Sequence, residues 1–241
     1  MSSSKHLHRI DLDLYGQLAD YIDNLLSVEE SDALTACAEA IYEHNSHSRL
    51  APGIQFQTPS GMRLNMAAHW YMSRSAAPAF FGPLFDRISH LIPPTLGGLP
   101  LHSALSEKIA HFKYGDGDRF YPHTDGEYPG QGCNVAGDGV DQWPGVQTGM
   151  SILIYLNDAS DGFVGGETRL WTADRSRFID VQPCKGRGLF FRHGSGPDSV
   201  LHAGLAVSGD VPKYIVRINL AFGVRHGTDP FYCTRYCTEN E

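Results

Sequence analysis

No stretch of the 241 residues approaches the roughly eighteen consecutive apolar residues that a membrane-spanning helix requires. Met1–His8 lacks the apolar segment of a secretory signal, so no export and no membrane partner are expected. Cysteine is scarce: Cys37, Cys133, Cys184, Cys233 and Cys237 are odd in number and scattered. They make no disulfide framework, and a reducing, cytoplasmic setting is the expectation. Cys233 and Cys237 lie close together, but with His226 as the only further donor nearby they fall short of a structural zinc site. Basic charge is also short. Lys and Arg total 19 against 27 Asp and Glu, giving a formal net charge of -8 and a pI near 5.8. That balance argues against a nucleic-acid groove. There is no internal repeat and no low-complexity tract. What is present is a 41% hydrophobic content, sufficient for a substantial core, in a length that suits one undivided domain, 1–241.

The feature that carries chemistry is His123-Thr124-Asp125, with His202 as a distant third partner. In a strand, side chains two apart point to the same side, so His123 and Asp125 can address one point. Two imidazoles and a carboxylate cap one face of a ferrous ion and leave the opposite positions open, the facial triad of non-haem iron oxygenases. His202 must then come from another strand folded back against the first.

The surroundings fit that requirement. Lys113–Phe120 reads as a strand end, a Gly/Asp turn and a new strand. Met150–Asn157 is a short apolar run ending in turn residues, as a buried strand is. Further strand signals lie at Val181–Pro183, Gly188–Phe191, Val200–Gly204 and Lys213–Leu220. Alternation on the last places Tyr214, Val216, Ile218 and Leu220 on one face and Lys213, Ile215, Arg217 and Asn219 on the other. Toward the amino terminus, residues 1–10 read as a loose leader and Tyr21–Leu26 as a strand. Ser27-Val28-Glu29-Glu30 reads as a capping box opening a helix with Leu34, Cys37, Ala38 and Ile41 at helical spacing. Residues 45–61 read as a loop. A second helix is expected from about Pro83 to Leu91, with Phe81, Leu84, Phe85, Ile88 and Leu91 as its apolar stripe. Residues 126–147, rich in glycine and directly after Asp125, read as a long loop overhanging the metal, either a lid or a surface excursion.

Taken in order, Tyr114-Gly-x-Gly, His123-Thr-Asp, Tyr155-Leu-Asn, Gly165-Gly-Glu-Thr, Pro183-x-x-Gly, His202-x-Gly and Lys213-Tyr-x-x-Arg resemble the iron(II)/2-oxoglutarate-dependent dioxygenases. Within them the pattern is most similar to the prolyl 4-hydroxylase-like branch. The likeness covers about residues 107–222. It implies a double-stranded β-helix, a mostly β jelly roll with amino-terminal helices buttressing the larger sheet. In that frame residues 1–106 support the catalytic core, 107–222 form it, and 223–241 are a tail.

The resemblance further implies Fe(II), 2-oxoglutarate and O2 as cofactors, with ascorbate as a stimulant. The expected reaction is hydroxylation of an unactivated C–H, with release of succinate and CO2. Related halogenases lack the triad carboxylate, so Asp125 favours hydroxylation or desaturation. His202 is favoured as third ligand by its His-x-Gly context, with His193 as competitor and, more naturally, as outer support for the ligands. A dicarboxylate held to iron by its keto-acid end needs a cation for its far carboxylate, and arginine pairs a carboxylate bidentately. Arg217 and Lys213 share a face and compete for that role, and the resemblance favours Arg217. Tyr155 and Tyr114 match positions that contact the co-substrate. Arg63, Asn65, Tyr128, Trp143 and Trp171 are expected to line a pocket for a small-molecule or peptide substrate. Two other readings remain open: a cupin-type dioxygenase that does not use 2-oxoglutarate, and a non-catalytic binding module on the same scaffold.

Overall fold

The computed structural model describes residues 7–10, 19–47, 55–57, 65–72, 74–134, 136 and 139–225. Arg63, His226, Cys233 and Cys237 lie outside them. The chain opens with strands β1 (Leu7–Arg9) and β2 (Ala19–Ile22), then helix α1 (Val28–His47), β3 (Gln55–Gln57), β4 (Met66–Tyr71) and helix α2 (Ala77–Ile88). A short hairpin follows, β5 (Thr95–Leu96) and β6 (Leu99–Pro100). The barrel strands are then β7 (Ser106–Tyr114), β8 (Phe120–His123), β9 (Pro129–Cys133), β10 (Val140–Tyr155), β11 (Val164–Gly165) and β12 (Thr168–Trp171). They are completed by β13 (Phe178–Val181), β14 (Gly188–Arg192), β15 (His202–Gly204), β16 (Val207–Ser208) and β17 (Lys213–Gly223).

Two antiparallel sheets face each other as a double-stranded β-helix. The larger runs β1-β2-β14-β10-β17-β7-β4-β3, with β9 also on β10; the smaller runs β13-β12-β15-β8. Alternation on the central strands sorts side chains into two cores, as the sequence pattern requires. Ile152, Ile154, Tyr214, Val216, Ile218 and Leu220 point to the helical side, where Leu34, Phe81, Leu84 and Ile88 cover them. Leu153, Tyr155 and Ile215 point between the sheets, against Leu170, Phe191 and Val207. The interior of the barrel is therefore reached only by one register of each strand, and that register carries the chemistry.

Helix α1 is capped at its start, and the last turn of α2 is tied to that cap. The capping box is present: the Ser27 N–H donates to Glu30 Oε2 at 2.8 Å and the Glu30 N–H to Ser27 Oγ at 3.1 Å. Arg87 on α2 then clasps both oxygens of Glu30, at 2.8 and 2.6 Å.

Five expectations are corrected. Residues 45–61, expected as a loop, carry the end of α1 and strand β3, which pairs with β4. The leader contributes β1, which pairs with β2 on the edge of the large sheet. The first strand stops at Ile22 because Asn24 takes a left-handed turn (φ 56) that asparagine tolerates. Helix α2 begins at Ala77, several residues early, because Pro78 pre-sets a first turn; Pro83 lies inside it. The glycine-rich segment after Asp125 is mostly a hairpin of β9 and β10, with Cys133 opposite Val140 and Gln131 opposite Gln142. Its glycines mark close approach: a Cβ at Gly130 would stand 2.7 Å from the Trp143 ring, and one at Gly132 3.2 Å from it. Trp143 is only 2% exposed, packed with Val146 and Ala221.

Candidate active site

His123 ends β8, His202 begins β15, and the two residues pair directly in the smaller sheet. Asp125 follows His123 on the turn into the hairpin, and its backbone carbonyl is held by the Gly194 N–H at 3.0 Å. One donor atom from each of the three residues falls within 4.8 Å of the others. His123 Nε2 lies 3.8 Å from Asp125 Oδ1, and His202 Nε2 lies 3.9 Å from Asp125 Oδ2. One ion with bonds of about 2.1 Å spans such separations.

The tautomers fit a metal as well. His123 Nδ1 is 2.8 Å from the Tyr121 carbonyl and His202 Nδ1 is 3.1 Å from the Val200 carbonyl. A carbonyl only accepts, so each Nδ1 must carry the proton and each Nε2 presents its lone pair to the site. Burial favours the neutral rings: it pushes the pKa of His123 down to about 4, helped by His202, and lowers that of His202. For Asp125, burial alone would raise the pKa, but Arg217, His202 and Ser151 outweigh it and hold the carboxyl well below its usual range. The donor set is thus two neutral imidazoles and one carboxylate, which suits a divalent iron.

A directed chain of hydrogen bonds fixes Asp125 from behind. Ser151 Oγ donates to Asp125 Oδ2 at 2.6 Å, so it accepts from His193 Nδ1 at 2.9 Å. That leaves His193 Nε2 to accept from Thr148 Oγ1 at 3.1 Å, while Thr148 Oγ1 accepts the Tyr128 N–H at 3.1 Å. Every proton in the relay has one consistent direction. His193 is therefore placed behind the triad, touching it through Ser151.

Between the sheets lies a cleft lined by Phe112, Tyr114, Phe120, the triad, Leu153, Thr168, Gly204, Ile215 and Arg217. Its wall on the larger sheet is layered. Lys213 stands opposite Tyr114 in the register, with Tyr155 one strand away opposite Ile215. Next come Ile215 with Phe112, then Arg217 with Ala110 and Leu153, and at the outer end Asn219 with Ser106 and Ser151.

The two cations of β17 meet different fates. Lys213 is 0% exposed at the closed end, its ammonium on the Gly166 carbonyl and over the rings of Tyr114 at 4.9 Å and Tyr155 at 5.5 Å. The Gly165-Gly166 pair makes this packing feasible. Gly166 sits at φ +73, and a Cβ there would meet Lys213 Cδ at 2.8 Å. Burial lowers the Lys213 pKa to about 7, with Glu167 opposing. Beside it the Tyr155 hydroxyl donates to Thr168 Oγ1 at 2.7 Å, and the Tyr114 hydroxyl lies against Gly204, where a Cβ would stand 3.2 Å away. Arg217 instead stands at the level of the triad and pairs with Asp125 Oδ1.

Of the expected pocket residues, Tyr128 reaches the site: its hydroxyl takes the Asn219 side-chain amide, and Lys108 Nζ lies 5.1 Å over its ring. Asn65 is buried just before β4. Trp143 belongs to the hairpin's own small core. Trp171 alternates with the inward Thr168 and Leu170 and stacks near Arg169 on the outer face of the small sheet. Sequence reasoning missed Ser151, Thr168 and Thr148. Ser151 alone had a signal, a hydroxyl at an inward position of the otherwise apolar run Met150–Leu156.

Residues 109–221 match the profile of a family described as the 2OG-Fe(II) oxygenase superfamily. No curated protein matches the chain. Among solved structures, a Pseudomonas putida prolyl-4-hydroxylase aligns at 17% identity over 89% of this chain and 96% of its own, with a TM-score of 0.53. A Trichoplax adhaerens prolyl hydroxylase, in complex with a hypoxia inducible factor peptide fragment, aligns at 17% identity over 87% of this chain and 84% of its own, also at 0.53. A Burkholderia pseudomallei oxidoreductase of the 2OG-Fe(II) oxygenase family aligns at 10% identity over 90% and 91%, at 0.50. At these identities the likeness is one of fold.

Proposed function

We propose that the chain is a member of the 2OG-Fe(II) oxygenase superfamily, whose profile residues 109–221 match, that it works as an oxidoreductase with Fe(II), 2-oxoglutarate and O2, and that it hydroxylates an unactivated C–H of an amino acid, peptide or small metabolite. The observation that carries the reading is the pairing of two elements in one cleft. A triad with both Nε2 lone pairs turned inward lines the cleft, and a buried cation without a carboxylate partner among the described residues lies directly behind its wall, over the ring of Tyr114. Bound there, the iron with its co-substrates supplies the oxidant for C–H hydroxylation.

The residues divide the remaining work. His123, Asp125 and His202 hold the metal, and Thr148, His193 and Ser151 keep the Asp125 carboxylate oriented. Lys213 takes the far carboxylate of 2-oxoglutarate, with the hydroxyls of Tyr155, Thr168 and Tyr114 around it. This departs from the preference for Arg217 drawn from the motif, because Arg217 lies beside Asp125 and not at the closed end. Phe112, Leu153 and Ile215 form an apolar sleeve between the two ends, excluding water from the co-substrate's carbon chain. The order of motifs supports the prolyl 4-hydroxylase-like branch. Fe(II)-dependent conversion of 2-oxoglutarate to succinate, measured with candidate substrates and followed by a one-oxygen mass gain, tests the reading. No succinate with Fe(II), O2 and any substrate would sink it.

A further inference from the structure

Beyond the triad, on the side of the cleft away from Lys213, the larger sheet presents an outer layer that the co-substrate does not need. It holds Arg217, Asn219, Ser106 and, on the same face of β7 two residues from Ala110, Lys108. Tyr128 covers them. The layer has two cations, and among the described residues its only carboxylate is Asp125, assigned above to the metal. A guanidinium has five N–H donors, and Arg217 commits one nitrogen, Nη1, to Asp125 Oδ1. Lys108 is half-buried, lies over the Tyr128 ring, and has no acidic partner among the described residues. Asn219 is 2% exposed; its amide nitrogen goes to the Tyr128 hydroxyl and its Oδ1 has no partner. Buried polar groups left unpaired cost stability, so such a cluster beside the cleft, whose wall Arg217 forms, marks what the site receives.

From this we propose that the outer layer recognises a free α-amino acid as the substrate to be oxidised. Its carboxylate lies between Lys108 and the spare donors of Arg217, and its ammonium meets the Asn219 carbonyl oxygen. This names the substrate class of the site assigned above and rests on that assignment. An internal residue of a peptide brings only neutral N–H and C=O groups to this place and leaves Lys108 and the spare donors of Arg217 without a carboxylate. A neutral metabolite fails in the same way.

The test uses the full chain loaded with Mn(II) and 2-oxoglutarate without oxygen, so that binding is read without turnover. Each free protein amino acid is titrated by calorimetry, and every binder is compared with its own carboxamide. At least one amino acid should bind about tenfold or more tighter than its amide. In Lys108→Met that ratio should collapse to within about threefold, since the substitution keeps the stem and removes the charge. If 2-oxoglutarate itself does not bind the Mn(II)-loaded wild type, the enzymatic reading fails. If it binds and no amino acid does, or the amide binds as tightly as the acid, the amino-acid assignment alone is overturned. The acid-to-amide comparison in the wild type decides the matter even if Lys108→Met does not fold. A ratio unchanged in a folded Lys108→Met also overturns it.

Discussion

Lys213 and Arg217 share one face of β17, four residues apart, yet one is buried over the Tyr114 ring on the Gly166 carbonyl and the other pairs with Asp125 of the His-Asp-His cluster. Two pleats of an extended strand separate them by about 13 Å of backbone. That span is enough to divide one row of inward side chains between co-substrate and metal, so the two cations should respond differently to removal.

Lys213→Ala should weaken 2-oxoglutarate binding by at least about a hundredfold. Losing one partner of a buried charge pair costs on the order of 3–5 kcal/mol, and each 1.4 kcal/mol is about tenfold. Calorimetry on the Mn(II)-loaded protein without oxygen reads this directly. Arg217→Ala should cost 2-oxoglutarate much less. A hundredfold loss in Arg217→Ala with a mild Lys213→Ala would return the co-substrate role to the arginine. Lys213→Met carries a second expectation: without ligand it should unfold at no lower temperature than the wild type, because an apolar chain replaces a buried unpaired charge. Its melting temperature should also not respond to 2-oxoglutarate.

The triad and its support should separate in metal affinity. His123→Ala, Asp125→Ala and His202→Ala should each leave the purified protein without stoichiometric iron after anaerobic reconstitution, while circular dichroism stays near wild type. Ser151→Ala and His193→Ala remove partners behind Asp125 rather than ligands. They should retain iron but bind it about 10–100-fold more weakly. Iron retained at full affinity in His202→Ala and lost in His193→Ala would reassign the third ligand.

The triad and the fold class were legible in the sequence because both depend on short-range regularities: period-two alternation, and a His-x-Asp spacing that any strand converts into a shared direction. The alternation on β17 assigned Tyr214, Val216, Ile218 and Leu220 to one core and Ile215 to the other, as found. The capping box at Ser27 was readable for the same reason, since all its bonds lie within four residues. What could not be read was depth. Lys213 and Arg217 have the same parity, and only the closure of the barrel around Gly166 puts the lysine at the bottom. The hairpin after Asp125 was misread because glycine signals both a flexible loop and close approach, and the partner that decides between them, the Trp143 ring, arrives from the facing strand.

Binding of 2-oxoglutarate should take up a proton near pH 8. Burial holds the Lys213 pKa at about 7 in the ligand-free protein, with the Gly166 carbonyl, the Tyr114 and Tyr155 rings and the more distant Glu167 as its surroundings. A folded pKa below the unfolded value means that the unfolded chain holds more protons between about pH 7 and 10.5. From this group, stability of the free protein therefore rises with pH across that window and is lowest below it. A carboxylate placed on the ammonium reverses the shift. At pH 8 the complex should bind close to one proton more than the free protein, and at pH 6 almost none. Calorimetry in buffers of different ionisation enthalpy measures this count. Equal uptake at both pH values would show that another group answers the co-substrate.

Trp143→Ala tests whether the hairpin is structural rather than a moving cover. The indole is buried against the backbone of Gly130 and Gly132 and packs with Val146 and Ala221. The glycines opposite have no side chains to move into the space it leaves, although His102 and Arg225 also border the ring. Truncating a buried aromatic of this kind costs about 3–5 kcal/mol, and the loss should appear as a lower denaturant midpoint with the slope unchanged. Because Trp143 does not line the cleft, affinity for 2-oxoglutarate in the folded variant should stay within about threefold of wild type. A variant of normal stability with a large loss of co-substrate or substrate affinity would mean that the ring leaves its seat to close over the metal. The hairpin would then be a lid, whatever its strands look like at rest.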